Sequence, residues 1–195
     1  MTESPFRLPR TAVPDHYDIT LDVDPARDTF AGTVGIDLRV LERGDRIVLN
    51  TADLEIDEIT MSSGSAVIAI VDVSHDDRER TTLQLETDVD AGSYRLDITY
   101  RGILNDQLRG LYRSVYEDAE GAKHPIATSQ CQPTDARRIL PCWDEPDFKA
   151  TFRTTMVVPE DVAAFSNTAE VAREQSDGRT KVSFDTSMKL SLIHI

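Results

Sequence analysis

The chain has 195 residues, with 21 Lys and Arg against 35 Asp and Glu, a net charge of -14. That balance excludes phosphate-neutralising binding to nucleic acid or to an anionic membrane, which needs clustered cations. Two cysteines without a multi-cysteine framework, a polar N-terminus MTESPFRLPR and no apolar stretch of membrane-spanning length predict a reduced, cytoplasmic protein with free buried thiols.

In chain order, residues 1–13 read as an extended arm with Pro5 and Pro9. Tyr17, Ile19, Leu21 and Val23 then alternate with Asp18, Thr20 and Asp22, the period of a half-buried strand. Pro25 to Asp28 is the turn into a second strand carrying Phe30, Val34, Ile36, Leu38 and Val40, so the two should pair as a hairpin. Gly32 interrupts this alternation, which predicts a bulge or a close backbone approach. Shorter strands are expected over Arg46 to Asn50 and Leu54 to Met61, the latter with Leu54 and Ile56 opposite Glu55 and Asp57. Val67 to Val73, apolar on both faces, predicts burial between layers. After a charged turn from His75 to Arg80 come strands over Thr81 to Glu86 and Tyr94 to Tyr100. Gly102 to Ser114 reads as a loop closed by Leu111 and Tyr112, in which Asn105 and Asp106 bond local amides. Glu117 to Lys123 is a polar turn, and alternation resumes at Phe152 to Val158 and at Val182 and Phe184. No amphipathic helix of convincing length is present. The predicted fold is all-β, an antiparallel sandwich or saddle-like sheet completed by sequence distant from its start.

The densest chemistry lies in ATSQCQPTDARRILPCWDEPDFKATF, Ala127 to Phe152. Pro133, Pro141 and Pro146 fix φ and remove backbone donors, so the segment must follow a turning path between regular elements. Asp144 and Glu145 are adjacent carboxylates. Neighbours on an extended segment point to opposite faces, so acid/base chemistry on one bond is rejected. A structural network with Arg137, Arg138 and Lys149 is expected instead. Asp135 is expected to cap the turn after Pro133, and Trp143 to pack the loop onto a partner layer.

This run, Thr128 to Phe152, closely resembles the segment preceding the catalytic domain in M1-family zinc aminopeptidases. Further matches are Val13-Pro14-x-His16-Tyr17-Asp18, Ile47-Val48-Leu49-Asn50 and the stretch from Gly102 to Ser114. The resemblance implies an N-terminal β-domain over residues 1–191. It implies that Gln130 and Gln132 are the substrate-binding residues, lining the first specificity pocket and holding the free α-amine of a peptide. Amide or carboxylate oxygens are suited to accept from an ammonium. Gln132 stands where many relatives carry Glu, so the amine would meet a dipole rather than a full charge. The competing reading of both glutamines is that they satisfy backbone groups in a buried loop.

His16, His75, His124 and His194 are not followed by the Glu and second His of a zinc helix, and the family's Gly-Ala-Met-Glu-Asn segment is missing. The expectation is therefore a truncated chain with no catalytic residue and no metal ligand of its own, inactive alone. Zinc belongs to the full-length enzyme. Peptides with a free N-terminus and the missing catalytic domain are the expected partners. Residues 192–195, Leu-Ile-His-Ile, read as an atypical tail. Two alternatives accompany this reading: a non-catalytic interaction scaffold, and an epoxide hydrolase of the leukotriene type, which shares the Gln-x-Gln form.

Overall fold

The structure, a computed structural model, describes residues 7–192. Part of the expected arm and residues 193–195 of the expected tail, with His194, lie outside the described residues. Thirteen strands follow in order: β1 Ala12–Asp22, β2 Thr29–Val40, β3 Gly44–Asn50, β4 Leu54–Ser63, β5 Ala66–Ile68, β6 Ile70–His75, β7 Arg80–Val89, β8 Gly92–Ile103, β9 Gly110–Glu117, β10 Lys123–Gln130, β11 Thr151–Pro159, β12 Glu170–Ser176 and β13 Arg179–Phe184. Among the described residues helical structure is limited to 3-10 geometry, in the turn Ala136–Arg138 and at Leu192. The fold is all-β, as the alternation predicts.

Eight strands form one sheet in the order β12-β13-β11-β1-β2-β8-β4-β5. Three more form β3-β7-β6, and β9 pairs with β10 alone. All pairings are antiparallel except β1 with β11, which run parallel. Register explains why this sheet has one apolar face. Phe152, Tyr17, Ile36, Leu96 and Met61 lie in one row across five strands, and all are buried. The next row is Thr154, Ile19, Val34, Ile98 and Ile59. Because side chains alternate, a one-residue slip would turn both rows to solvent. In β4 the apolar positions Ile56 and Ile59 are out of phase, and a register shift between Ile56 and Glu58 restores them to one face.

Ile47, Leu49, Leu83 and Leu85 of the three-stranded sheet cover this face, together with Leu140, Cys142 and Trp143 of the connecting segment. All join a single buried cluster. Tyr17 stacks on Phe152 at 5.0 Å between ring centroids, which ties β1 to β11.

Several expectations are corrected. Val67, Val71 and Val73 are exposed, not buried between layers. The apolar run is divided between β5, at the edge of the large sheet, and β6, at the edge of the small one, and only Ile68 and Ile70 pack against the core. Gly32 sits in regular register with Leu21 and Tyr100, without a bulge. What approaches it is a side chain, since a Cβ there would lie 2.4 Å from the Tyr100 ring. The stretch Gly102 to Ser114 is only partly a loop, because β8 runs to Ile103 and β9 starts at Gly110. Within that loop Asn105 does bond locally, accepting from the Gln107 amide at 2.8 Å. Strand β12 was not anticipated. Its residues are all exposed, and it is held by a hairpin whose Asp177 and Gly178 both have positive φ, the requirement of a type I′ turn. Leu192, placed by sequence with the tail, is buried in the core.

Candidate functional site

Strand β10 ends at Gln130, and the chain then leaves the ladder for the irregular path that the prolines require. Cys131 turns inward and is buried, while Gln130 and Gln132 on either side are exposed. The Gln130 amide lies 3.5 Å from the carbonyl of Gln132. The Cys131 carbonyl accepts from the Asp135 amide at 2.8 Å, closing the turn that leads into the 3-10 residues. The structure therefore places the two glutamines side by side at the surface of a fixed turn, rather than in a buried loop.

The turn is fixed by charge. Arg137 donates its Nε to Asp144 Oδ2 at 2.9 Å and its Nη1 to Glu79 Oε2 at 3.2 Å. Arg138 donates to Asp135 Oδ1 at 2.9 Å, to Glu79 Oε1 at 2.5 Å and to Asp53. Asp135 precedes the 3-10 turn but makes no side-chain cap bond; its carboxylate takes Arg138 instead, which corrects the expected capping role. Lys149 forms no ion pair among the described residues, so the network is smaller on that side than expected. Glu145 points away from Asp144, as alternation requires, and takes Arg7 and the Leu8 amide of the N-terminal arm.

Asn50 joins the pieces. Its backbone exchanges hydrogen bonds with Cys142, its Oδ1 accepts from the Asp144 amide at 3.2 Å, and its Nδ2 donates to the Glu79 carbonyl at 3.2 Å. Trp143 is fully buried and donates its amide to Tyr17 Oη at 3.2 Å, so the segment does pack onto the partner layer. Burial is the main cause that raises the Asp144 carboxyl above the usual carboxylate range, against the pull of Arg137. Burial also pushes the Cys131 thiol up to about 12 and the Cys142 thiol well above its ordinary value. Both thiols are free, as expected.

Three contributors escaped the sequence reading. Gly110, opposite Gln130 in the β9–β10 ladder, has φ +62 and lies against Arg138; a Cβ there would sit 2.7 Å from the Arg138 Cβ. Glu79 and Asp53 are left-handed turn residues whose carboxylates reach the arginines. An acidic residue at a turn is an ordinary surface feature in sequence, and only the tertiary fold brings these two to the segment.

The described residues thus form an all-β domain that presents a short polar segment at its surface, on a turn braced by Arg137 and Arg138. Residues 13–192 match the Peptidase M1 N-terminal domain, and the chain belongs to that family. It is 40% identical over 181 residues to Aminopeptidase M1 of Arabidopsis thaliana, a match covering 90% of this chain and 20% of that protein. It is 35% identical over 189 residues to "Aminopeptidase 2, mitochondrial" of Saccharomyces cerevisiae, covering 94% and 20%. Puromycin-sensitive aminopeptidase of Caenorhabditis elegans is 35% identical over 190 residues, covering 95% and 20%. The chain thus spans about a fifth of the length of the curated relatives it matches.

The described residues offer no site that fits the zinc implied by the family resemblance. Among the described residues no three His, Cys, Asp or Glu side chains come together as ligands. His16 is engaged by Thr151 and His75 by Thr81, each at 2.8 Å, and His124 by Asp118 at 2.7 Å. No helix of the described residues is long and apolar enough to cross a membrane.

Proposed function

We propose that this chain is the substrate-anchoring N-terminal domain of a cytoplasmic aminopeptidase that releases N-terminal residues from peptides. Its zinc would be held by a catalytic domain outside these residues, and the chain alone would be inactive. Gln130 and Gln132 accept hydrogen bonds from the free α-ammonium and form one wall of the first specificity pocket. An exopeptidase must recognise that ammonium, and amide oxygens serve as neutral acceptors for it.

The observation that supports the reading is the disposition of the two glutamines. Both are exposed around a buried Cys131, on a turn anchored by two arginines, so the backbone that carries them is held in place. A backbone already held loses less conformational entropy on binding than a mobile loop. The two free thiols support the cytoplasmic assignment.

The test is made in the whole enzyme. Gln132→Ala should lower kcat/KM by about 1.5–3 kcal/mol, the worth of a hydrogen bond to a charged group, or roughly 10- to 150-fold. Gln132→Glu should preserve or raise kcat/KM, because a carboxylate is the stronger partner for an ammonium. Neither change should move Tm, since Gln132 is exposed. A fall in Tm with unchanged kinetics would sink the anchor assignment.

A further inference from the structure

We propose that Glu79 is a positioning residue for the Gln130–Gln132 segment, acting through Arg137 and Arg138; the consequence for peptide binding rests on the function proposed above. Glu79 lies in the turn between β6 and β7, more than fifty positions before the glutamines. Its carboxylate splits between the two arginines of the 3-10 turn, Oε2 to Arg137 Nη1 at 3.2 Å and Oε1 to Arg138 Nη2 at 2.5 Å. Its carbonyl is used as well, accepting from the Thr51 amide at 3.1 Å and from Asn50 Nδ2 at 3.2 Å.

Two features separate this from an ordinary surface ion pair. First, Glu79 has φ +58, a conformation that costs a side chain energy and that glycine would adopt freely. The turn's backbone bonds hold it there, with the Glu79 amide donating to the Asp76 carbonyl at 3.1 Å, and this fixes the point from which the carboxylate reaches both arginines. Second, the arginine side chains it reaches are 10% and 12% exposed, so their charges are largely removed from water and depend on fixed partners. Arg138 is the link to the glutamines. It also bonds Asp135, whose amide is tied to Cys131, and its Cβ rests on Gly110 directly opposite Gln130. Releasing Glu79 removes one partner from each arginine at once, leaving Arg137 on Asp144 and Arg138 on Asp135 and Asp53. The turn beneath the glutamines then loses the side-chain tie to the β6–β7 turn and keeps only the bonds that Asn50, Ala52 and Asp53 make to it.

The experiment compares Glu79→Gln and Glu79→Gly with the parent. Glycine relieves the backbone strain and keeps the carbonyl acceptor, so it isolates the carboxylate. In the 195-residue chain, both variants should raise hydrogen exchange of the amides from Asp135 to Leu140 about tenfold or more, while β8 amides stay unchanged. In the whole enzyme, Glu79→Gln should lower kcat/KM for a peptide substrate, and the same change on a Gln132→Ala background should add almost nothing. Unchanged exchange from Asp135 to Leu140 in both variants overturns the proposal whatever Gln132 does. Faster exchange with a kinetic loss that persists in full on the Gln132→Ala background also overturns it, because Glu79 would then act by another route. If Gln132→Ala itself is silent, the anchor reading fails, and the exchange measurement still decides whether Glu79 holds the segment.

Discussion

Arg137 and Asp144 face each other across 2.9 Å with 10% and 1% of their side chains exposed, so each offsets part of the hydration the other has lost. Removing one partner of such a pair leaves an uncompensated buried charge, at about 3–5 kcal/mol. Asp144→Ala should therefore lower Tm by about 6–20 °C for a domain of this size. Asp144→Asn should cost less, since an amide oxygen still accepts from Arg137. Thermal melts of the two variants with equal Tm losses would contradict this ordering.

The same carboxyl makes a signed pH prediction. Burial raises Asp144 above the usual range, so the folded chain keeps this proton at pH values where the unfolded chain has released it. The stability it contributes is present below the unfolded value and is lost as pH rises through the folded one. The advantage of the parent over Asp144→Asn should thus be largest at the acidic end and shrink toward neutral pH. Denaturant titrations in which that advantage grows with pH would show that the Arg137 attraction outweighs burial.

Tyr100 and Gly32 give a paired test of packing. Among the described residues the Tyr100 hydroxyl has no hydrogen-bond partner, although it is buried. Tyr100→Phe removes an unsatisfied group and should leave stability unchanged or raise it by about 1 kcal/mol. Gly32→Ala places a methyl against the ring and should cost about 1–3 kcal/mol by overpacking. A clear loss in Tyr100→Phe would mean that the hydroxyl is hydrogen-bonded in solution.

Both thiols should be silent toward reagents in the folded state. The thiolate is the reactive form, and burial drives Cys131 and Cys142 toward the protonated form. With an aromatic disulfide reagent at neutral pH, two thiols per chain should be released only after denaturant is added. Rapid reaction of either cysteine in native buffer would show that the turn around Cys131 opens readily.

Gly110→Ala should disturb the site from the opposite side. A non-glycine residue at φ +62 costs roughly 1–2 kcal/mol, and here the new methyl also meets Arg138. Resonances of Gln130 and Arg138 should shift together in this variant, while those of β4 stay in place. A Tm unchanged from the parent would mean that β9 can move away from Arg138 at no cost.

Most of the large sheet was legible because Tyr17 to Val23 and Tyr94 to Tyr100 alternate strictly, and alternation is what one buried face imposes. Val67 to Val73 misled for the same reason in reverse: an apolar run states nothing about whether a second layer exists to cover it. Strand β12 has no apolar face, so its only written signal was the Asp177–Gly178 turn. Within the site, the Arg137–Asp144 pair could be anticipated because its partners are seven residues apart. Glu79 and Asp53 could not, because a carboxylate in a turn carries no mark of the distant cation it will meet. Gln130 and Gln132 were selected by resemblance, and their side-by-side exposure became visible only with the turn closed around Cys131.

The parallel pairing of β1 with β11 also sets when this domain can form. Tyr17 has no neighbour on its β11 side until Phe152 arrives, and the central row of the core is incomplete until then. Such non-local pairing is slow, since chain closure must precede the contacts that reward it. During synthesis, a chain that has emerged only as far as β10 therefore holds β1 with one edge bare, a template for pairing with another chain. Protection by a chaperone should matter most in that interval, and ribosome-bound chains stalled before Thr151 should aggregate or crosslink to holdases more than chains stalled after Phe184.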